Sequence, residues 1–361
     1  MMVKIRQVNW NFLMIKVFVI DDSATVRNAF SKIFSSANDI ELIGKANNPV
    51  DAFNIFKKVG LPDVFILDIE MPKMDGLAFL QKINQQRPIP VIMCSTLVSK
   101  GSSAAIDALR MGAVDIVQKP TFGLKEFFSE KKEELLDSVR AAANSKVHFN
   151  FNVASEDHTI INTIKEAKSS FAASKKIVAI GSSTGGVQVI EEIVLHLNPN
   201  HPAIVITQHM PVGFTASFAE RLNMLAQNSN VKEAQEGDIL LPGRVLIAPG
   251  DKHLEVKKQG TSYVATIKDY PKVNSHKPSV NVLFSSMAKE VGKNGVGFIL
   301  TGMGDDGAVK LKAMKDAGAK TYAQNEKSCT VYGMPRRAVE IDAVYETMNI
   351  MRIVSTINNL R

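Results

Sequence analysis

Two cysteines, Cys94 and Cys329, and a single tryptophan are all that 361 residues carry of those types. The cysteines lie far apart and Cys94 sits in an apolar, strand-like run. Reduced thiols in a cytoplasmic protein are therefore expected, and a disulfide framework is not. No apolar run approaches the roughly 18 residues needed to cross a bilayer, so membrane insertion is not expected. The amino-terminal "MMVKIRQVNWNFL" starts basic, but Gln7, Asn9 and Asn11 interrupt the apolar core a signal peptide needs. Residues 1–13 thus read as an extension, with Met14 a candidate start. Aromatics are sparse at 7% and no basic run is interleaved with them, so the net charge of +7 does not read as a nucleic-acid surface. There is no internal repeat and no low-complexity tract. What remains is an ordinary globular composition, 45% hydrophobic and 22% charged, with length for about two domains.

From residue 14 to about 132, short apolar runs alternate with helical patterns. "IKVFVI", "IELIGKA", "VFILDI", "PVIMCS" and "VDIVQK" read as five strands of a doubly wound parallel sheet of flavodoxin-like type. Residues 133–174 are helical and charged at first, then polar and small, and read as a linker. From 175 to 361 a second α/β region supplies "KIVAIG", "PAIVITQ", "GFILTG" and "KTYAQ" as parallel strands. "RVLIAPGDKHLEVKKQGTSYVATIKDY" instead reads as strands joined by tight turns, with "KQGTS" a hairpin turn.

In the first region Asp21 and Asp22 follow the first strand and Asp68 ends the third. In an open parallel sheet these ends meet at one crevice, where strand order reverses. Carboxylates crowded there call for a hard cation, and Mg²⁺ suits oxygen ligands. Ser95 ends the fourth strand and Lys119 the fifth. A carboxylate, a divalent cation, a hydroxyl and a lysine make a site for a carboxyl phosphate, with Asp68 the acceptor. Residues 14–132 resemble response-regulator receiver domains through "DDS", "LDIEMPKMDG", Ser95 and the "KP" of Lys119-Pro120. The resemblance implies phosphorylation of Asp68 and a Mg²⁺ held by Asp21, Asp22, Asp68 and the backbone carbonyl of Glu70. A position often aromatic in that family is Ile116 here.

In the second region "GSSTG", Gly181 to Gly185, fits G-x-S-x-G with Ser183 at a strand-to-helix turn. A phosphate-binding glycine loop is the rival, but G-x-G-x-x-G is unmatched and no Walker lysine follows. A serine nucleophile needs a base and an orienting acid. His148 and His158 lie in the linker, His196 in a helix, His201 at the wrong sheet edge, and His253 opens the hairpin. His209 ends the strand "PAIVITQ" on the same edge as Ser183, while His276, in a loop, stays open as an alternative. Asp306, in "LTGMGDDGA", ends a third strand, giving the order Ser183, His209, Asp306.

"IGSSTGG", "QHMPVGFTASFAERLN", "APGDKHLEV", "HKPSVNVLF", "LTGMGDDGA" and "VYGMPRRAV" resemble the catalytic domain of the bacterial chemotaxis protein-glutamate methylesterases. The resemblance implies a Ser183–His209–Asp306 triad, oxyanion contacts at the backbone N–H groups of Thr184 and Met303, and His276 as a substrate contact. That family usually has an acid where this chain has Asn281. Its activity would be hydrolysis of glutamate methyl esters on chemoreceptors, with deamidation of receptor glutamines as a second reaction and no cofactor for either. The receiver, unphosphorylated, would cover the catalytic edge. The implied partners are methylated chemoreceptor cytoplasmic domains and a chemotaxis histidine kinase as phosphodonor, with the chain a monomer. The competing readings are a receiver with a DNA-binding output, against which the lack of a helix-turn-helix pattern counts, and a non-catalytic scaffold, against which the intact Ser–His–Asp set counts.

Overall fold

The computed structural model describes residues 14–71, 75–95, 99–119, 131–145 and 175–360. The extension 1–13, Pro120, His148, His158 and the linker from 146 to 174 lie outside the described residues.

The first unit is a five-stranded sheet. Strands β1 (Ile15–Ile20), β2 (Ile40–Ala46), β3 (Val64–Asp68), β4 (Val91–Ser95) and β5 (Asp115–Gln118) stand in the order β2-β1-β3-β4-β5, every pair parallel. β3 and β4 are buried along their whole length, the pattern of strands covered on both faces. Helices α1 (Ala24–Phe34), α2 (Pro49–Val59), α3 (Gly76–Gln86) and α4 (Ser99–Arg110) supply that cover. Their starts are set locally: Ser23, Asn48 and Asp75 each accept a hydrogen bond from the first turn of the helix they open.

The stretch read as the start of the linker is different in the structure. Lys132–Ala143 forms a helix, α5, and Leu135, Leu136, Val139 and Ala142 are buried in the same core as Val17, Val19, Ile66 and Ile92. Each buried leucine or valine is worth about 1.5–3 kcal/mol, so this helix belongs to the first unit and the expected boundary at 132/133 moves past 143. Arg140 anchors it further by pairing with Asp39 at 2.7 Å.

The second unit has a seven-stranded sheet in the order β14-β13-β12-β6-β7-β9-β8, again wholly parallel. Its strands are β6 (Ile177–Ser182), β7 (Ala203–Gln208), β8 (Asn230–Glu233), β9 (Arg244–Ile247), β12 (Gly295–Ile299), β13 (Lys320–Gln324) and β14 (Glu346–Met348). β10 (His253–Gln259) and β11 (Ser262–Lys268) form the antiparallel hairpin, closed by Gly260-Thr261. The sequence reading erred on "RVLI", which it placed among the turn-linked strands. Val245, Leu246 and Ile247 are all buried, and the strand pairs in parallel with β7 and β8. β8 and β14, short polar edge strands, went unread because they carry almost no apolar signal. Helices α6 (Gly186–Leu195), α7 (Phe214–Leu225), α8 (Val280–Glu290), α9 (Ala308–Asp316), α10 (Met334–Glu340) and α11 (Ile350–Asn358) complete the unit.

The two units pack together. Ala105, Ile106, Ala108 and Leu109 of α4 share one apolar core with Val187, Ile190 and Phe218. Around it Arg110 pairs with Glu191 at 2.8 Å, and Arg221 pairs with Asp107 at 3.0 Å and Glu191 at 3.4 Å. The Gln188 amide donates to the Leu109 carbonyl, and Lys272 stands 3.6 Å from Glu134.

Candidate active site and acidic crevice

β6, β7 and β12 are neighbours in the second sheet, and the chain runs past their carboxyl ends into three loops that meet. The first holds Ser183. Gly185, at φ 77°, reverses the chain into α6, and a Cβ there would lie 2.5 Å from the Thr330 side chain. The Ser183 N–H donates to the Thr301 carbonyl at 3.0 Å. Gly302 lets the third loop close in, since a Cβ there would sit 2.8 Å from the Ser183 Cβ. The backbone N–H groups of Thr184 and Met303 have no hydrogen-bond partner among the described residues.

The His209 Nε2 lies 2.8 Å from Asp306 Oδ2. Asp306 is wholly buried and also accepts from the Ser279 hydroxyl at 2.9 Å and from the N–H groups of Val280 at 2.7 Å and Asn281 at 3.2 Å, at the start of α8. Burial pushes its pKa up, but the His209 hydrogen bond, the neighbouring imidazoles and the backbone N–H of Val280 outweigh it and hold the carboxyl below its ordinary value. An ionised Asp306 requires the proton on Nε2, which leaves Nδ1 as the basic nitrogen. Nδ1 is buried and has no hydrogen-bond partner among the described residues. This set can take a proton from a hydroxyl and hold the resulting imidazolium.

Sequence reasoning missed the groups that hold this set rigid. The Gln208 side chain accepts from the Ser182 hydroxyl at 2.6 Å and donates to the carbonyls of Ser183 (2.9 Å) and His209 (3.0 Å), tying two loops together. The Thr301 hydroxyl donates to the Thr184 carbonyl at 3.0 Å, fixing the third loop to the first. His276 is not a rival base. Its ring stacks on His209 with centroids 3.8 Å apart and planes 9° from parallel, and its Nδ1 is 2.6 Å from the Asn274 carbonyl. Burial, with His209 alongside, lowers its pKa to about 4. Strand-end position could find Ser183, His209 and Asp306; no periodicity marks a loop residue such as His276. Of the other described histidines, His201 and His253 are buried in their own hydrogen bonds, with Ser229 and Ser279, and His196 ends α6.

The first unit sits over this edge. Leu109, Val114, Asp115 and Ile116 close a cavity whose other walls include Ser183, Thr184, His209 and Met210. The space left is about 10 Å³, the room of a single water. The Thr184 hydroxyl donates to Asp115 Oδ2 at 3.4 Å and the Ser138 hydroxyl to the same atom at 2.9 Å.

At the far end of the first sheet, Asp21, Asp22 and Asp68 place carboxylate oxygens within 4.8 Å of one another. Lys119 reaches across to Asp68 Oδ2 at 2.5 Å and Asp21 Oδ2 at 3.2 Å. Asp68 and Asp21 are buried, and burial raises both. For Asp68 the value reaches about 6, because burial and the Asp21 charge outweigh the Lys119 hydrogen bond. Ser95 closes β4 buried beside them, and its carbonyl accepts from the Lys119 N–H at 2.8 Å. One lysine cannot offset three crowded carboxylates, and the donors are all hard oxygens, so the crevice fits a small divalent cation. Glu70 is exposed beside it, its N–H bonded to Asp68 Oδ1 at 3.2 Å.

Residues 178–357 match the family model described as CheB methylesterase, and residues 17–128 the response regulator receiver domain. The protein-glutamate methylesterase/protein-glutamine glutaminase of Salmonella typhi is 46% identical over 339 residues, covering 94% of this chain and 95% of that protein. Protein-glutamate methylesterase/protein-glutamine glutaminase 1 of Chromobacterium violaceum is 46% identical over 358 residues, 96% of this chain and 99% of its own length. The crystal structure of the Thermotoga maritima CheB methylesterase catalytic domain is 36% identical and aligns with a TM-score of 0.50. That alignment covers 52% of this chain and 98% of that one.

Proposed function

Because this chain belongs to the CheB methylesterase family and carries a receiver domain ahead of its methylesterase domain, we propose that it is a phosphorylation-controlled serine esterase. Its substrates are glutamate methyl esters on chemoreceptor cytoplasmic domains, and the names of its relatives support glutamine deamidation by the same site. The observation that carries the reading is the His209–Asp306 hydrogen bond beside Ser183, with Asp306 held ionised at the start of α8.

The Ser183 hydroxyl attacks the γ-carbonyl carbon while His209 Nδ1 takes its proton. Asp306 steadies the imidazolium through Nε2–H. The N–H groups of Thr184 and Met303 are free to receive the oxyanion. As the intermediate collapses, the C–O bond to the methoxy group breaks and the imidazolium returns its proton, so methanol leaves. Water then adds to the acyl-enzyme by the same proton path and releases the glutamate. A glutamine passes through the same acyl-enzyme with ammonia as the leaving group.

With the receiver docked, the start of β5 and the end of α4 narrow the space beside Ser183 to about 10 Å³, and we take this arrangement as the resting one. Asp68 is the phosphoryl acceptor, supported by Ser95 and Lys119. Asp21, Asp22, Asp68 and the Glu70 carbonyl would hold Mg²⁺, which neutralises the oxygens of the transferred group. A chemotaxis histidine kinase is the expected phosphodonor, and the chain is expected to work as a cytoplasmic monomer. The test is methanol release from methylated receptor membranes with Mg²⁺ and a small phosphodonor. Release should rise with the phosphodonor, fall at least about 10³-fold in Ser183→Ala, and lose its stimulation in Asp68→Asn. Release unchanged in Ser183→Ala would end the serine mechanism.

A further inference from the structure

A cleft of about 450 Å³ runs along α8, between that helix and the β10–β11 hairpin, with Lys310 of α9 on its rim. Its charge is unbalanced. Lys257, Lys268, Lys289 and Lys310 line it against two acids, Glu255 and Glu290. Alternate positions place Glu255 with Lys257, and Thr266 with Lys268, on one face of the hairpin. Both acids are already engaged. The Tyr270 hydroxyl donates to Glu255 at 3.0 Å, and the Lys258 N–H to Glu290 at 3.1 Å, with Lys289 standing 3.6 Å from Glu290 on its own helix. Lys257, Lys268 and Lys310 have no ion pair among the described residues.

The inner end of the cleft reaches the catalytic groups. Asn281 and Val273 line it, the Asn281 N–H donates to Asp306, and Val273 exchanges backbone hydrogen bonds of 3.0 Å with His276. The Asn281 side-chain oxygen is buried and has no hydrogen-bond partner among the described residues. No residue of the receiver lines the cleft, so it stands open while the cavity over Ser183 is closed.

We propose that this cleft is a docking subsite for an acidic stretch of the protein substrate next to the glutamyl residue in the active site. The proposal rests on the esterase reading above and adds what the enzyme recognises beyond the ester. Carboxylates on that stretch meet three uncommitted ammonium groups, and the product of each turnover is itself a carboxylate. Because the cleft is open in the docked arrangement, the acidic stretch binds there before phosphorylation, while turnover waits for it.

Two labelled peptides test it, each with one γ-methyl glutamate, flanked in one by glutamates and in the other by serines. Binding is read by fluorescence anisotropy on full-length Ser183→Ala without phosphodonor, and turnover by methanol release from the phosphorylated wild type. A chain with Lys257→Gln, Lys268→Gln and Lys310→Gln should bind the acidic peptide about tenfold more weakly and raise its KM by the same factor, with kcat unchanged. The serine-flanked peptide should not distinguish the two chains, and added salt should narrow the difference between the peptides. Equal binding of both peptides by the parent chain, or an unchanged KM in the triple variant, would overturn the subsite. No methanol from either peptide, with the anisotropy difference intact, would support the subsite and count against the esterase.

Discussion

Glu191→Gln should turn the resting enzyme on. Glu191 lies on α6 and receives both Arg110 of the receiver at 2.8 Å and Arg221 at 3.4 Å. Its side chain is 10% exposed, against 35% for Arg110 and 19% for Arg221. A hydrogen bond to a charged group is worth about 1.5–3 kcal/mol, and the exposure of Arg110 argues for the lower end. Glutamine keeps the size and one acceptor but loses the charge that Arg110 meets. A loss of about 1.4 kcal/mol moves the docked-to-open ratio tenfold. Methanol release without phosphodonor should therefore rise about tenfold, and release at full phosphorylation should stay within about twofold of wild type, because the reacting groups are untouched. The second measurement guards against a damaged catalytic unit. An unphosphorylated rate equal to wild type, with the phosphorylated rate intact, would refute the claim that this ion-pair cluster holds the receiver down.

Three further outcomes follow from the geometry. Burial and the Asp21 charge raise Asp68 to about 6 before a cation enters, and a cation needs the carboxylate, so Mg²⁺ affinity should fall as pH drops through about 6, read by calorimetric titration; an affinity unchanged between pH 7.5 and 5.5 would refute it. His276→Ala removes a ring stacked 3.8 Å from His209, an interaction worth about 0.5–1.5 kcal/mol, so kcat should fall up to about tenfold, while His276→Phe, which keeps the stack, should recover most of it; equal losses in both would deny the positioning role. Burial raises Asp115 to about 6 in the docked arrangement, so docking favours its protonated form, strengthens as pH falls through about 6 and weakens above it. Asp115→Asn should accordingly show less unphosphorylated release than wild type at pH 8, and the difference should shrink progressively as pH falls below about 6; a ratio that does not change with pH would remove Asp115 from the latch.

How much of this was legible in the sequence depended on which physical signal each part carries. Buried parallel strands are runs of apolar residues, so most of both sheets could be read, and so could the acids, hydroxyls and histidine at their carboxyl ends, since strand polarity alone places those on one edge. β9 was misread because three apolar residues beside a hairpin carry no mark of parallel pairing. α5 was assigned to the linker because its charged face dominates "KKEELLDSVR", while Leu135, Leu136 and Val139 take meaning only once a sheet lies beneath them. The His276 stack, the Gln208 tie and the cover over Ser183 depend on loops meeting across long stretches of chain, which no local pattern encodes.

The placement of the receiver explains how a charge at one edge of a sheet could reach a serine in another domain. β5 is four residues long, and both ends of its segment are occupied. Lys119, just past its carboxyl end, is paired to Asp68, whereas Asp115 and Ile116, at its start, wall the cavity over Ser183 and His209. At about 3.3 Å per residue, the distance along the strand from Asp115 to Lys119 is only about 13 Å. A phosphoryl group on Asp68 would compete for the lysine that now bridges Asp68 and Asp21, and a shift of Lys119 would pull on a strand whose middle is buried and which is hydrogen-bonded to β4. α4 lies beside that strand, and its last turn carries Asp107, Leu109 and Arg110, which hold Arg221, Gln188 and Glu191. The contacts that hold the receiver down are therefore concentrated on the start of β5 and the last turn of α4. A small displacement there acts on several interdomain bonds at once, and that is how one new charge could shift a docking equilibrium held by a few kcal/mol.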